Sequence, residues 1–248
     1  METFIINNWE IMLVLIFSIV CGRYLVLAGG AYLLCYKPGI KKLQPYKIQP
    51  KPPKKKQINN ELVYSLSTVF IFSLVGVIVY FLYGSGYTTI YLNIDKYGWV
   101  YFICSFIIMI FLHDAYFYLT HRLLHTHWFL KNVHIVHHQS TNPTPLAAYC
   151  FHPVEAIMES LIVFPFITLF PVHLFAFLLF TFLVLVMNVI GHLGFEFLPQ
   201  AFRKNKWGRF LTSSTHHNLH HQKMNKNFGY YFTLWDKSLK TLHKDTYL

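Results

Sequence analysis

The chain has 248 residues, 54% of them hydrophobic and only 12% charged, with a mean hydropathy of +0.39. Soluble domains average about 25% charged residues, so this composition excludes a disordered chain and argues against a water-soluble globule. Twenty-one Lys and Arg against ten Asp and Glu leave a net charge of +11, and that charge sits in blocks between apolar runs. Such blocks suit the positive side of a membrane and not a nucleic-acid partner.

A membrane-spanning helix needs about 20 apolar residues. The first candidate runs from Ile11 to Tyr36 and is interrupted by Arg23. A charge in mid-span costs about 2.5–3.5 kcal/mol, so Arg23 is expected to be paired or to snorkel. No basic residue precedes the run, which therefore reads as a span and not as a cleavable signal peptide. Residues 37–56 carry eight lysines, with Pro50, Pro52 and Pro53 between them, and read as a solvated, extended basic loop. Leu62 to Tyr83 is the second span, broken by Gly84-Ser85-Gly86. Trp99 to Leu119 is the third, turning polar at His113 and Asp114.

Between Ala156 and Ile190 the apolar run is split by Pro171-Val172-His173 into halves of 15 and 17 residues. At 1.5 Å per residue these reach only about 22 and 25 Å, which predicts a helical hairpin entering and leaving on one side. From Gly191 onward the chain is polar and basic, and it contains no internal repeat. The expected fold is an all-α integral membrane protein with about three transmembrane helices plus this hairpin. Residues 1–60 would form a membrane segment and a basic loop, and residues 61–248 the embedded domain with its histidine-rich cap. If the lysine loop is cytoplasmic, counting crossings makes residues 120–155 and the region after the hairpin cytoplasmic too. Twelve of the fifteen histidines then gather at that one face.

Three histidine clusters carry the chemistry. They are His121-Arg-Leu-Leu-His125, His134-Ile-Val-His137-His138 and His217-Asn-Leu-His220-His221. Residues three and four apart share a helix face, so each cluster presents two or three imidazoles to one point. Clustered imidazoles that bound nothing would repel one another when protonated, so metal binding is expected. His127 falls off the first stripe, while His173 and His243 lie at the hairpin turn and the tail. Imidazole suits zinc, copper, iron and nickel alike, but eight ligands are too many for one tetrahedral zinc and right for two ions. No Glu has a His three residues on, and H-E-x-x-H is absent. So are G-x-S-x-G, Walker and G-x-G-x-x-G motifs, which leaves no evident site for nicotinamide or flavin. The cysteines Cys21, Cys35, Cys104 and Cys150 show no C-x-x-C spacing.

The words around these clusters resemble the fatty acid hydroxylase/sterol desaturase superfamily of integral-membrane, non-haem di-iron oxygenases. They include Asp114-Ala-Tyr-Phe-Tyr-Leu-Thr-His121-Arg-Leu-Leu-His125 and Phe151-His152-Pro153-Val154-Glu155. Gly191-His192-Leu-Gly-Phe-Glu196 and the stretch from His217 through Asn227-Phe-Gly-Tyr to Trp235-Asp236 complete them, covering about residues 100–243. The resemblance implies a ninth ligand, His192. It also implies two iron ions, O2, a lipid substrate drawn from the bilayer, and electrons from a separate donor such as cytochrome b5 or a ferredoxin with its reductase. Zinc is expected to occupy the site in some purified material. Two departures stand out: Lys237-Ser-Leu-Lys-Thr241 follows Trp-Asp where the family has Phe-Gly-Thr, and Glu196 stands where fatty acid 2-hydroxylases carry a histidine. Both lean toward the sterol-desaturase side.

Four further residues are candidates for orienting the ligands. Asp114 lies on the His121 stripe about 10 Å along the axis and would support an imidazole from another helix. Glu155 and Glu196 lie one turn from His152 and His192, Glu196 also being a candidate ligand. His216 points about 100° away from His217 and would be auxiliary. A zinc-dependent membrane lipid hydrolase is the alternative function, and a metal transporter ranks behind it because the clusters lie at the ends of spans. The C-terminal His-Lys-Asp-Thr-Tyr-Leu carries no retrieval signal, which favours a bacterial inner membrane over the endoplasmic reticulum. Oligomeric state is not legible.

Overall fold

In hydrocarbon every backbone N–H and C=O must be paired within its own segment, so long apolar runs become helices. The computed structural model describes residues 8–36 and 41–247. Among them, four helices are long and apolar enough to cross a membrane: α1 (Trp9–Tyr36), α2 (Lys55–Gly84), α3 (Gly98–Leu124) and α6 (Leu174–Gly191). Two short helices, α4 (Pro153–Ser160) and α5 (Val163–Thr168), lead into α6. Beyond it, α7 (Ser214–Lys223) closes the cap. The fold is thus that of an all-α membrane protein, the strands among the described residues being two residue pairs, β1 (Ile90–Tyr91) and β2 (Val172–His173), which pair in parallel.

The β1–β2 pair fixes the depth of the hairpin. Ile90 and Tyr91 lie between the end of α2 and the start of α3, so the Val172-His173 turn sits at the end of the bundle opposite the histidines. Tyr101 donates to the Pro171 carbonyl at 2.9 Å and His173 to that of Leu92 at 2.9 Å, anchoring the turn there. The hairpin therefore reaches the far face instead of dipping in part-way. Its first arm is not one helix, however. Pro165 has no N–H to offer the carbonyl of Leu161, so α4 stops at Ser160 and α5 begins anew at Val163 with its proline in the first turn.

The lysine-rich loop also departs from expectation. Its first four positions, 37–40, lie outside the described residues. Lys41–Tyr46 forms a 3-10 turn, and Lys47 then bridges Phe195 in antiparallel fashion. Gln49 donates to the Thr141 carbonyl at 2.9 Å and to Asn218 at 3.0 Å, so this part of the loop lies on the cap. The helix α2 begins seven residues before the predicted span because Gln57 donates to Glu61 at 2.8 Å and to the Asn142 carbonyl at 2.7 Å. Those bonds hold its polar first turns against the cap.

Arg23 is paired. Its guanidinium donates to the Thr181 hydroxyl at 3.2 Å and carbonyl at 2.9 Å, and it sits 6.0 Å from the Phe182 ring. Two apolar cores follow from the helix arrangement. One joins Tyr24, Ala28 and Val69 to Leu146 and Tyr149, and the other joins Phe102 and Met109 to Phe166 and Phe180. Val26, Leu33, Val63 and Val100 stay exposed on the outer faces, as a lipid-facing surface requires. Gly76 lets α1 approach, since a Cβ there would lie 2.8 Å from Ile16.

The two ends of α2, at about 1.5 Å per residue over 30 residues, are some 45 Å apart and so on opposite sides of the bilayer. Single cysteines at Lys54 and Ser85, in a background free of the native cysteines, should react with an impermeant reagent from opposite sides. Labelling of both from one side would contradict the fold.

Candidate metal centre

Each histidine cluster is delivered by the end of a helix. His121 lies in the last turn of α3 and His125 is the residue that caps it. His134, His137 and His138 follow in a winding segment that passes through a π-turn, Leu130–His134, into Ile135–His138. His192 caps the end of α6. The helix α7 starts where Ser213 accepts the His216 N–H and ends at Met224 with φ 61°, which stacks His217, His220 and His221 over the other clusters.

Nine imidazoles converge into two adjacent groups. One comprises His121, His125, His134, His138 and His220; the other His137, His192, His217 and His221. Within each group the nitrogens that could face an ion all lie within 4.8 Å of one another. The clusters do not map one to a group: the second and third each divide between both. His138 and His221, one from each group, have ring centroids 4.9 Å apart. All nine are buried or nearly so.

The proton bookkeeping decides what these nitrogens face. His137 Nδ1 donates to the Cys150 carbonyl at 3.2 Å and His192 Nδ1 to that of Asn188 at 2.8 Å. A neutral imidazole has one N–H, so both Nε2 atoms carry lone pairs. Yet those two atoms are 3.2 Å apart, and no hydrogen bond can join two acceptors. In the other group His220 Nδ1 donates to the Lys226 carbonyl at 2.8 Å, and its Nε2 meets those of His125 and His138 at 3.2 and 3.1 Å. His134 Nε2 is buried with no partner. Cis ligands on one ion with bonds of about 2.1 Å stand about 3.0 Å apart, which is the spacing observed. The residues fit a metal ion in each group.

Burial keeps the rings neutral. It holds His134 down to about 3 and His137 to about 4. Together with the neighbouring His134 and His137 it holds His125 to about 2. His138, His192, His217, His220 and His221 lie well below the usual imidazole range, through burial first and then through neighbouring imidazoles, His125, His134 and His137 among them.

The four orienting candidates divide. Glu155 meets His134 Nδ1 at 2.8 Å, not His152, which instead caps α4. Asp114 touches no imidazole: it accepts the backbone N–H groups of Tyr231 at 2.8 Å and Phe232 at 3.2 Å, holding the turn beyond α7. Glu196 is off the site because α6 has already ended and Gly194 takes φ +73°, so no helical face carries it back toward His192. It accepts the Thr215 N–H at 3.0 Å at the start of α7. His216 faces away from both groups and meets Asp236 at 3.0 Å.

Asp236 is the residue that spacing alone missed, although the Trp235-Asp236 pair marks it. Fully buried, it also accepts the N–H groups of Phe228 and Gly229 at 2.9 Å each and the Thr241 hydroxyl at 2.7 Å. Burial alone would raise its pKa, but His216 first, and then the Thr241 and Phe228 bonds, outweigh burial and hold it below the usual carboxylate range. The Phe228 carbonyl in turn accepts from His121 Nδ1 at 3.1 Å. The carbonyl partners of Cys150, Asn188, Lys226 and Phe228 are backbone groups and leave no side-chain signal. On the membrane side of the histidines lies an apolar cavity of about 520 Å³ between α1, α2, α3 and α6.

A family model described as fatty acid hydroxylase matches residues 106–241. Lathosterol oxidase of Rattus norvegicus is 35% identical over 187 residues, covering 74% of this chain and 60% of its own length. The Homo sapiens lathosterol oxidase is 32% identical over the same shares. A Delta(7)-sterol 5(6)-desaturase of Gibberella zeae is 34% identical over 184 residues, 73% of this chain and 55% of its own. The chain thus spans 55–60% of the length of these relatives. No solved structure matches it.

Two outcomes follow from the site's electrostatics. Unfolded histidines take up protons near pH 6.5, whereas the buried ones refuse them until about pH 4 or below. Burial raises the Glu155 carboxyl to about 7, which works the other way, but the nine rings outnumber it. The unfolded state therefore binds more protons in that window, and the melting temperature of the metal-stripped protein should fall as pH drops from 7 to 4.5. A flat profile would contradict the neutral cluster. Asp236→Ala leaves the Phe228 and Gly229 N–H groups and His216 unpaired, and should cost about 3–5 kcal/mol in unfolding measurements, with Asp236→Asn milder.

Proposed function

Because the chain belongs to the fatty acid hydroxylase family, we propose that it is an integral-membrane oxidoreductase that hydroxylates or desaturates a lipid C–H site with O2. The supporting observation is the pair of histidine groups, whose ring nitrogens converge on two points, with the lone pairs of His137 and His192 facing each other 3.2 Å apart. Two iron ions held there would supply O2 activation. Hydroxylation puts one oxygen atom into the lipid and releases one water; desaturation removes two hydrogens and releases two. Either way two electrons and two protons must come from outside. No nucleotide or flavin motif is present in the sequence, so a separate donor of the cytochrome b5 or ferredoxin type is proposed.

In this reading the chain's own residues position and exclude. His121, His137, His192 and His220 donate through Nδ1 to fixed carbonyls, which aims Nε2 at the ion and sets the tautomer. Glu155 does the same for His134 through a carboxylate. Burial of the rings excludes water, which protects the reaction from side chemistry. The cavity on the membrane side admits hydrocarbon. The names of the relatives support a sterol-like lipid ahead of a fatty-acyl one. The basic loop lying on the cap supports a cytoplasmic metal site.

Replacing a ligand removes a bond that no neighbour supplies. Ala at any of His121, His125, His134, His137, His138, His192, His217, His220 or His221 should abolish product formation and lower the metal content. Ala at His127, His173 or His243 should leave about two metals per chain. Full activity in His137→Ala or His220→Ala would overturn the di-metal reading. Purified protein with O2 and NADPH should be inactive until a donor and its reductase are added. Product formed without any reductant would point to the hydrolytic alternative.

A further inference from the structure

The cavity is not uniformly apolar. Most of its wall is hydrocarbon, as at Val75, Val79, Leu174 and Phe177. Along α2 it runs from Phe72 to Tyr83, about 16 Å at the helical rise. Phe72 and Val184 mark the end toward the histidines, because the α2 and α6 ends nearest the cap lie beyond them. At that end two polar side chains line the cavity without a protein partner.

His113 stands on α3 two turns before His121 and is 3% exposed. Among the described residues neither of its ring nitrogens makes a hydrogen bond, and the buried Nδ1 is an orphan. Aromatic rings of Phe117, Phe180, Tyr230 and Tyr231 frame it, with centroids 5.1–6.2 Å away. Glu159, on α4, has neither hydrogen bond nor ion pair among the described residues. It is half-buried and lines the cavity. His113 adjoins Tyr230, whose own hydroxyl is already committed to the Val184 carbonyl at 2.6 Å. Arg23 does not neutralise Glu159, since its guanidinium is held by Thr181.

Unpaired polar groups at membrane depth are costly, and Leu or Phe would fill the same wall without that cost. A ligand that pairs them removes the penalty. We propose that His113 and Glu159 form a subsite for a single hydroxyl group of the lipid, and so set which lipids the centre accepts. The chemistry matches: a hydroxyl donates its proton to the carboxyl and accepts from the imidazole N–H, while its apolar body lies along the rest of the cavity. A plain hydrocarbon chain would leave both groups unpaired. Calling that lipid the substrate rests on the oxygenase reading, but its binding is measurable without turnover.

The test uses the metal-loaded protein in detergent with tritiated lathosterol and tritiated hexadecanol as probes, each competed by its own methyl ether. Wild type should bind at least one alcohol tenfold or more tightly than the ether, which has lost its donor. Glu159→Leu and His113→Phe should each erase that preference. Removing an uncompensated polar group should also leave the ligand-free melting temperature unchanged or higher. The subsite is refuted if neither alcohol binds, if wild type does not distinguish alcohol from ether, or if both variants keep the preference. It is equally refuted if the variants melt earlier or cannot be purified, because the two groups then serve the fold. An intact alcohol preference with no oxidised product, once O2, a donor and its reductase are supplied, would sink the oxygenase reading and leave the subsite standing. Equal turnover of alcohol and ether would do the reverse.

Discussion

Nine imidazoles packed inside a protein with too few acceptors and donors to satisfy their ring nitrogens is the constraint on which the rest of this structure depends. A neutral imidazole has one proton, and in four of these rings that proton is spent on a backbone carbonyl facing away from the cluster. The other nitrogen must then point inward. Nitrogen pairs at 2.9–3.2 Å cannot all be hydrogen bonds and would repel unless something positive sat between them. Spans, loop and cap are arranged so that the four deliveries of histidine meet at this place.

The carbonyls that do the aiming come from irregular backbone, and irregular backbone must itself be held. Asp236 collects the N–H groups of Phe228 and Gly229, fixing the strand of chain whose carbonyl meets His121. Asp114 collects two more N–H groups a little further on, at Tyr231 and Phe232. Asn227, at φ 61°, ties the same turn to the His216 carbonyl and to His243. Two carboxylates and an amide thus stiffen one turn, which lies against α3 and under α7. The cost of burying them is offset only because nearly every oxygen has a donor.

Periodicity made much of this legible. Spacings of three and four picked out eight of the nine converging histidines but not their division, since the second and third clusters each split between the two groups instead of facing one point. Resemblance added His192, whose lone position carries no period. Apolar length located the spans, but it hid the break in the hairpin. There, Pro165 mattered more than mean hydropathy. The same shortcut misplaced Glu196: one turn from His192 means one helical face only while the helix lasts, and α6 ends before Gly194. Asp114 was put on the right stripe, but what meets it is backbone from more than a hundred residues away. Such long-range pairing, like the carbonyl partners of the imidazoles, leaves no mark in local spacing.

The central claim is that two ions sit side by side, one in each histidine group. Anomalous scattering at the iron edge, measured on crystals of the iron-loaded protein, addresses it most directly. The account predicts two peaks, one among the Nε2 atoms of His125, His138 and His220, the other among those of His137, His192 and His221. A single peak, or peaks away from these nitrogens, would contradict it.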